Sequence, residues 1–463
     1  MEQFGLEAIP LELKTVRWYD LFVIVVNFLI NPATILIAGM AVASGLSFWA
    51  AVTAQTAGCL VAFVAYIIMA TIGVDYGLPG QVATRMTFGI RGAKWVPSFL
   101  RVIASTYWFA FQTIASSLVI VEVLDHLLGG RHSLILISVI FGLGQIVVAV
   151  WGYGSLKMLS RAAFPIKILL LGFLWTELIR AGGPDFRLRH VVQYHGVLGW
   201  HWPVFVVWCN SMAAGWIVMI TDAADFCRYS RSRVDMWVGT GLAALSGCSL
   251  CTFVGAYGAA ATYGKVPGFF VLAVDMSASR WTLVAVLVVI VLDNWTINVL
   301  NLYTGGLSLS NIFENIGRFW TTLAVGLASV VLSGFPSLVS GYLQYNVALG
   351  NLFAPVAGIL LADYLFVRLR RVQVTALFLK GGPYWYWKGF NPVAIFWTLT
   401  GFWIYFAIPA VWMQTPTTVL LVGAGYLLSM HLLLPRVNFL RANLYSTLEV
   451  TNDGSTVRSR PRF

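Results

Sequence analysis

The stretch "VLDNWTINVLNLYTGG" places Asp293, Asn294, Thr296, Asn298 and Asn301 within nine residues of an otherwise apolar run. Amides, hydroxyls and carboxylates are expensive at membrane depth and are kept where they face a bundle interior or a water-filled cavity. A single Asn could be hydrogen-bond glue between helices. Five polar residues together point to a binding site for a polar solute. In "STYWFAFQTIASS", Trp108 and Gln112 stand at i and i+4 and so share one helix face. An indole beside a carboxamide can stack on a flat heterocycle and hydrogen-bond its edge, although a lone Trp there is equally a packing residue. In "NFLINPATIL", Asn31-Pro32 must break a helix, because proline lacks an N–H and its ring clashes with the preceding turn. Carbonyls freed inside a bilayer need a partner. Five apolar runs later, "GWIVMITDAADFCRY" carries Gly215, Asp222 and Asp225 at the edge of its run, a second polar break at a matching position.

Other chemistries fit poorly. The six His, at 126, 132, 190, 195, 201 and 431, lie in loops or at helix ends, with no His-Glu-x-x-His and no Ser/His or Asp/Asp pair at membrane depth. An intramembrane enzyme is therefore disfavoured, and a channel would not explain paired broken helices. Cys248 and Cys251 form a C-x-x-C without a second ligand pair, so zinc or redox chemistry is not expected. With Cys59, Cys209 and Cys227 they read as small apolar filler. No cofactor is expected.

The elements that hold these groups are membrane helices. Of 463 residues, 59% are hydrophobic and only 10% charged; a soluble chain would be about a quarter charged. Hydrocarbon about 30 Å thick takes about 20 residues to cross, and twelve apolar runs meet or approach that length. They are Tyr19–Ser44, Phe48–Ile72, Ser98–Leu124, Leu134–Gly152, Pro165–Leu178, Val204–Ile220, Val238–Thr262, Leu283–Tyr303, Phe319–Leu332, Leu338–Phe366, Val393–Val411 and Val419–Leu434. With both termini cytoplasmic, most of the 29 Lys and Arg, Arg85, Arg101, Lys167 and Arg228 among them, fall on the inner side, as the positive-inside rule requires. The net charge of +11 is then topology. A nucleic-acid partner drops out. No cleavable signal peptide is read. The loop "GLPGQVATRMTFGIRGAKWVPSF" mixes Met86, Phe88 and Trp95 with Arg85, Arg91 and Lys94, as an interfacial segment would. Within the cytoplasmic tail, residues 437–463, the Ser/Thr-rich stretch "STLEVTNDGSTVRSRPRF" is expected to be disordered.

The chain resembles the nucleobase–cation symporter family, which includes cytosine permease, allantoin permease and the bacterial hydantoin transporter. The likeness runs from "GLEAIPLELKTVRWYDLF" through "RMTFGIRGAKWVPSF", "WFAFQ", "DAADFCRY" and "NWTINVLNLYTGGLSLSNI" to "LFAPVAGILLADYLFVR". It implies an all-α integral membrane protein of the leucine-transporter type in one transporter domain. Two inverted five-helix repeats, Arg17–Ala181 and His201–Phe366, would be followed by two further helices within residues 389–436. Ligands of this architecture bind near the midplane at the broken helices.

The resemblance also implies a site. Trp108 and Trp216 would sandwich a planar ring, with Gln112, Asn31, Asn298 and the backbone at Gly215 reading its edge. A sodium site would draw on the carbonyls of Asn27, Ile30 and Asp293 and on the Thr296 hydroxyl, but Ile297 stands where sodium-coupled members have a second hydroxyl. Asp293 and Asp222 are instead candidates for proton coupling, and Asp225 is expected to cap a helix or pair with Arg228. The expected function is secondary active import of a neutral planar nitrogen heterocycle by cation symport, in the cell membrane, by a monomer. A carrier of amino acids or other small solutes on the same fold is the alternative.

Overall fold

A computed structural model describes residues 6–149, 153–276, 279–433, 436–437 and 440 of the chain. Nearly all of the tail 437–463, and the ends of the fourth and last runs at Gly152 and Leu434, lie outside the described residues. Each of the twelve apolar runs corresponds to a helix or a helix pair. Among the described residues, eight helices are long and apolar enough to cross a membrane, and one bent pair passes the same test when taken as a single span. Three shorter apolar helices, Leu134–Val147, Arg318–Leu332 and Pro392–Ala407, account for the remaining runs.

The bent pair is the first run. Helix α1 (Trp18–Leu29) ends at Ile30, and α2 (Pro32–Ala43) starts afresh at an angle of 52°. Asn31 takes an extended backbone and its Oδ1 accepts from Thr34 N at 2.9 Å. Proline follows at the first helical position, where its missing N–H costs nothing. The sixth run breaks as well. Helix α7 (Trp202–Ile217) tightens into a 3-10 turn over Val218–Thr221, and a short helix α8 (Ala223–Cys227) follows. The expected pair of broken helices is present.

Four long helices brace these breaks. They are α3 (Phe48–Tyr76), α4 (Phe99–Leu128), α9 (Arg233–Ala261) and α10 (Arg280–Ile312). Helix α3 lies along α7, α9 along both α1 and α2, and α10 along α4. Small residues permit the approach. A Cβ on Gly58 would stand 2.1 Å from Cys209 O, and one on Gly255 would stand 2.0 Å from Ile35 O. Helix α5 (Leu134–Ala149) packs against both α4 and α10, as does α11 (Arg318–Leu332), and α6 (Tyr153–Gly182) packs against both α1 and α10. Helix α12 (Tyr342–Ala362) covers α7, and the last two helices, α13 (Pro392–Ala407) and α14 (Gln414–Leu433), pack on α12.

Three sequence expectations are corrected. The first part of the segment after α3 does not lie on the surface: it folds inward as the short helices Gly80–Ala83 and Arg85–Phe88, with Arg85, Met86 and Phe88 buried, whereas Arg91 and Trp95 beyond it stay exposed. There Arg85 donates to Asn311 Oδ1 and pairs with Glu314 at 2.7 Å, which gives the buried guanidinium its counter-charge. Cys59 and Cys248 are not filler, since they form a disulfide between α3 and α9. Arg101, Lys167 and Arg228 are likewise buried inside the bundle and do not decorate the inner surface.

Candidate functional site

A cavity opens where α2, α4, α7 and α10 meet, beside both helix breaks. Trp108 and Gln112 of α4 line it from one side, as their shared face requires. Gly215 and Trp216 line it at the end of α7. Both indoles border one space, and neither is fully buried. Glycine at 215 keeps the gap open: a Cβ there would come within 3.4 Å of Trp108 Cζ2 and 3.3 Å of Asn346 Oδ1. Thr34, Ile297, Leu300, Asn301 and Tyr342 complete much of the wall.

The wall carries unmet hydrogen-bonding capacity. Trp108 Nε1, Gln112 Oε1 and Arg101 Nε are buried and have no hydrogen-bond partner among the described residues. Buried polar groups are normally paired, so two donors and one acceptor at a cavity wall are what a polar ligand would satisfy. Trp216 Nε1 is already directed to Met212 Sδ at 3.2 Å, which leaves that ring for stacking.

Two expected contacts go elsewhere. Asn31 does not face the cavity: its Nδ2 donates to Phe28 O at 2.8 Å and to Thr34 Oγ1 at 2.9 Å, and its Oδ1 caps α2. Thr34, one turn on, takes the place at the wall. Asn298 is turned toward α4 and α5, where its Nδ2 meets Thr113 Oγ1 at 3.0 Å and Gln145 Oε1 at 2.6 Å. Asn301 bonds to Asn298 Oδ1 at 3.1 Å and is the amide of α10 that lines the cavity.

Arg101 was hidden among the basic residues read as cytoplasmic. Its guanidinium lies at the cavity wall, 3.2 Å from Asp222 and 3.0 Å from Thr304 Oγ1, with Val218 O accepting at 3.3 Å. This ties α4 and α10 to the break after α7. The spacing held a signal, because residues 101, 105, 108 and 112 stack on one face of a helix. Asp225 acts as a cap: its Oδ1 accepts from Gly80 N at 2.6 Å, at the start of a short helix.

The predicted sodium ligands surround a side chain. Lys167 of α6 is fully buried, and its Nζ donates to Asn27 O and to Ile30 O, each at 3.0 Å. It also forms an ion pair with Asp293. Thr296 is committed to its own helix, donating to Asp293 O at 2.8 Å. Lys167 was missed because it stands near the start of its run, where a lysine reads as an interface residue.

The profile of a family described as permeases for cytosine/purines, uracil, thiamine and allantoin matches residues 8–429. A hydantoin permease of Microbacterium maritypicum is 27% identical over 417 residues, covering 86% of this chain and 81% of its own. An allantoin permease of Bacillus subtilis is 25% identical over 395 residues, covering 80% of each chain. A cytosine permease of Escherichia coli K12 is 28% identical over 335 residues, covering 72% of this chain and 74% of its own. Among solved structures, Mhp1, a nucleobase-cation-symport-1 family transporter closed around bromovinylhydantoin, superposes with a TM-score of 0.82 at 21% identity. That match covers 97% of this chain and 99% of the other.

Proposed function

Because the chain belongs to the family of permeases for cytosine/purines, uracil, thiamine and allantoin, we propose that it imports a neutral planar nitrogen heterocycle by cation symport with alternating access. The observation that carries this reading is the cavity bounded by two indoles and by the unpaired Trp108 Nε1, Gln112 Oε1 and Arg101 Nε. A flat ring with both carbonyl and N–H edges carries the donors and acceptors that such groups lack. Uncharged cargo fits better than an amino acid, because Arg101, the one cation at the wall among the described residues, already faces Asp222.

Relatives named for hydantoin, allantoin and cytosine agree with such a cargo. The protein would sit in the cell membrane as a monomer. The two five-helix units, residues 17–181 and 201–366, would rock about the cavity. We assign the coupling ion as H+, with Asp293 and Asp222 as its candidate carriers; each is buried and faces a basic side chain. Uptake of radiolabelled nucleobases, hydantoins and allantoin into cells tests the reading. One or more of these rings should accumulate above a vector control. Transport of amino acids with no uptake of any ring would overturn it.

A further inference from the structure

The break between α1 and α2 leaves acceptors that the helix cannot satisfy. Ile30 O would ordinarily receive the N–H of Thr34, but that N–H is taken by Asn31 Oδ1 at 2.9 Å. Asn27 O lies in the last turn of α1, with no continuous helix beyond it to supply its donor. Asp293 brings a carboxylate to the same point from α10. Two carbonyls and a carboxylate converging in a dry interior form a cation site made of hard oxygens.

The chain fills this site itself. Lys167 Nζ lies 3.0 Å from each carbonyl and pairs with Asp293, so three donors meet three oxygen groups. Lys167 and Asp293 are both 0% exposed, and water does not replace either partner. The backbone of α6 is fixed beside the break by a further bond, from Asn27 Nδ2 to Ser160 O at 2.8 Å, two turns before the lysine. The only thiol directed here, that of Cys251, points at Asn31 O at 3.7 Å and adds no charge.

We propose that the ammonium of Lys167 is the permanent cation of the helix break, so that transport proceeds with no Na+ bound there. A free cation at this position would have to share three oxygen groups with a fixed positive charge in van der Waals contact. The tethered charge costs no binding step, so the break stays ordered at any Na+ concentration. Thr34 and Ile297 carry its influence to the cavity: both line the wall, Thr34 one turn beyond Ile30 and Ile297 one turn beyond Asp293.

This inference rests on the transport reading only for its uptake arm. In that arm, proteoliposomes take up the best ring substrate with NaCl replaced by choline chloride, and the rates should agree within about twofold. A second arm needs no substrate. The melting temperature of the detergent-purified full chain is compared in NaCl, KCl and choline chloride, and no Na+-specific shift is expected. Lys167→Ser vacates the position and offers a hydroxyl beside Asp293, and it should acquire a Na+-specific rise in melting temperature. Wild-type uptake that falls more than about fivefold without Na+ would overturn the proposal. So would a Na+-specific shift in the wild-type chain, or a folded Lys167→Ser variant that responds equally to all three salts. If no ring is transported, the substrate reading fails while the melting arm still decides this one.

Discussion

At the scale of residues, the two indoles and the guanidinium carry different tasks. Stacking on an aromatic ring is worth about 1–3 kcal/mol per base, so Trp108→Ala and Trp216→Ala should each weaken ring binding by roughly ten- to a hundredfold. Normal affinity in both well-expressed variants, read by competition with a labelled substrate, would remove the sandwich. Arg101 lines the cavity and should read an oxo group, because its Nε–H has no partner among the described residues while Nη2 faces Asp222 and Thr304 and Nη1 donates to Val218 O. Arg101→Lys keeps a charge for Asp222 but deletes that donor. A hydrogen bond involving a charged group is worth about 1.5–3 kcal/mol, so rings rich in carbonyls should lose about ten- to a hundredfold in affinity. Amino-bearing rings should change less. An inhibition panel of purines, pyrimidines and hydantoins measures the difference, and an equal loss for every ring would show that Arg101 only supports the fold.

At the scale of elements, the breaks were legible and their contents only partly so. Asn31-Pro32 announces a helix start because proline tolerates little else, and Asn31 does cap α2. That Trp108 and Gln112 share a face was legible from their i, i+4 spacing, and both line the cavity. Spacing does not say which way a face turns against its neighbours, and for that reason Asn298 points to α4 and α5 while Asn301 reaches the cavity. Lys167 and Arg101 escaped because charge near the end of an apolar run reads as surface until the packing of α6 and α4 is known. Three substitutions separate cap and network from binding wall. Asn31→Ala should cost about 1 kcal/mol through the lost cap, seen as a lower melting temperature in detergent. Asn298→Ala should likewise lower the melting temperature, because Gln145 and Thr113 lose a buried partner. Asn301→Ala takes a donor from Asn298 Oδ1 and so also lowers melting, but of the three it alone should alter the inhibition panel. The opposite pattern for Asn298 and Asn301 would exchange their roles.

At the scale of the whole molecule, orientation follows from which basic residues are free to face lipid headgroups. Arg85, Arg101, Lys167 and Arg228 have internal duties and are nearly or fully buried, so they cannot vote on topology. The bias survives without them. Lys14, Arg17, Arg91, Lys94, Arg161, Arg231, Arg233, Arg370, Arg371, Lys380 and Lys388 stand at least partly exposed at one end of the bundle by the alternation of the runs. Arg131, Arg180, Arg187, Arg189, Lys265 and Arg280 are left for the other. Short loops rich in Lys and Arg stay on the cytoplasmic side because their translocation is disfavoured. The loop between α3 and α4, holding Arg91 and Lys94, and the loop after α12, holding Arg370 and Arg371, should therefore both be cytoplasmic, as should both termini. Alkaline phosphatase fused after Lys94 or after Arg371 should be inactive, and fused after Arg189 it should be active. A fluorescent protein at the C-terminus should glow, since it folds only inside. Active phosphatase after Lys94 together with a dark C-terminal fusion would turn the molecule over, and the direction of alternating access would have to be reassigned with it.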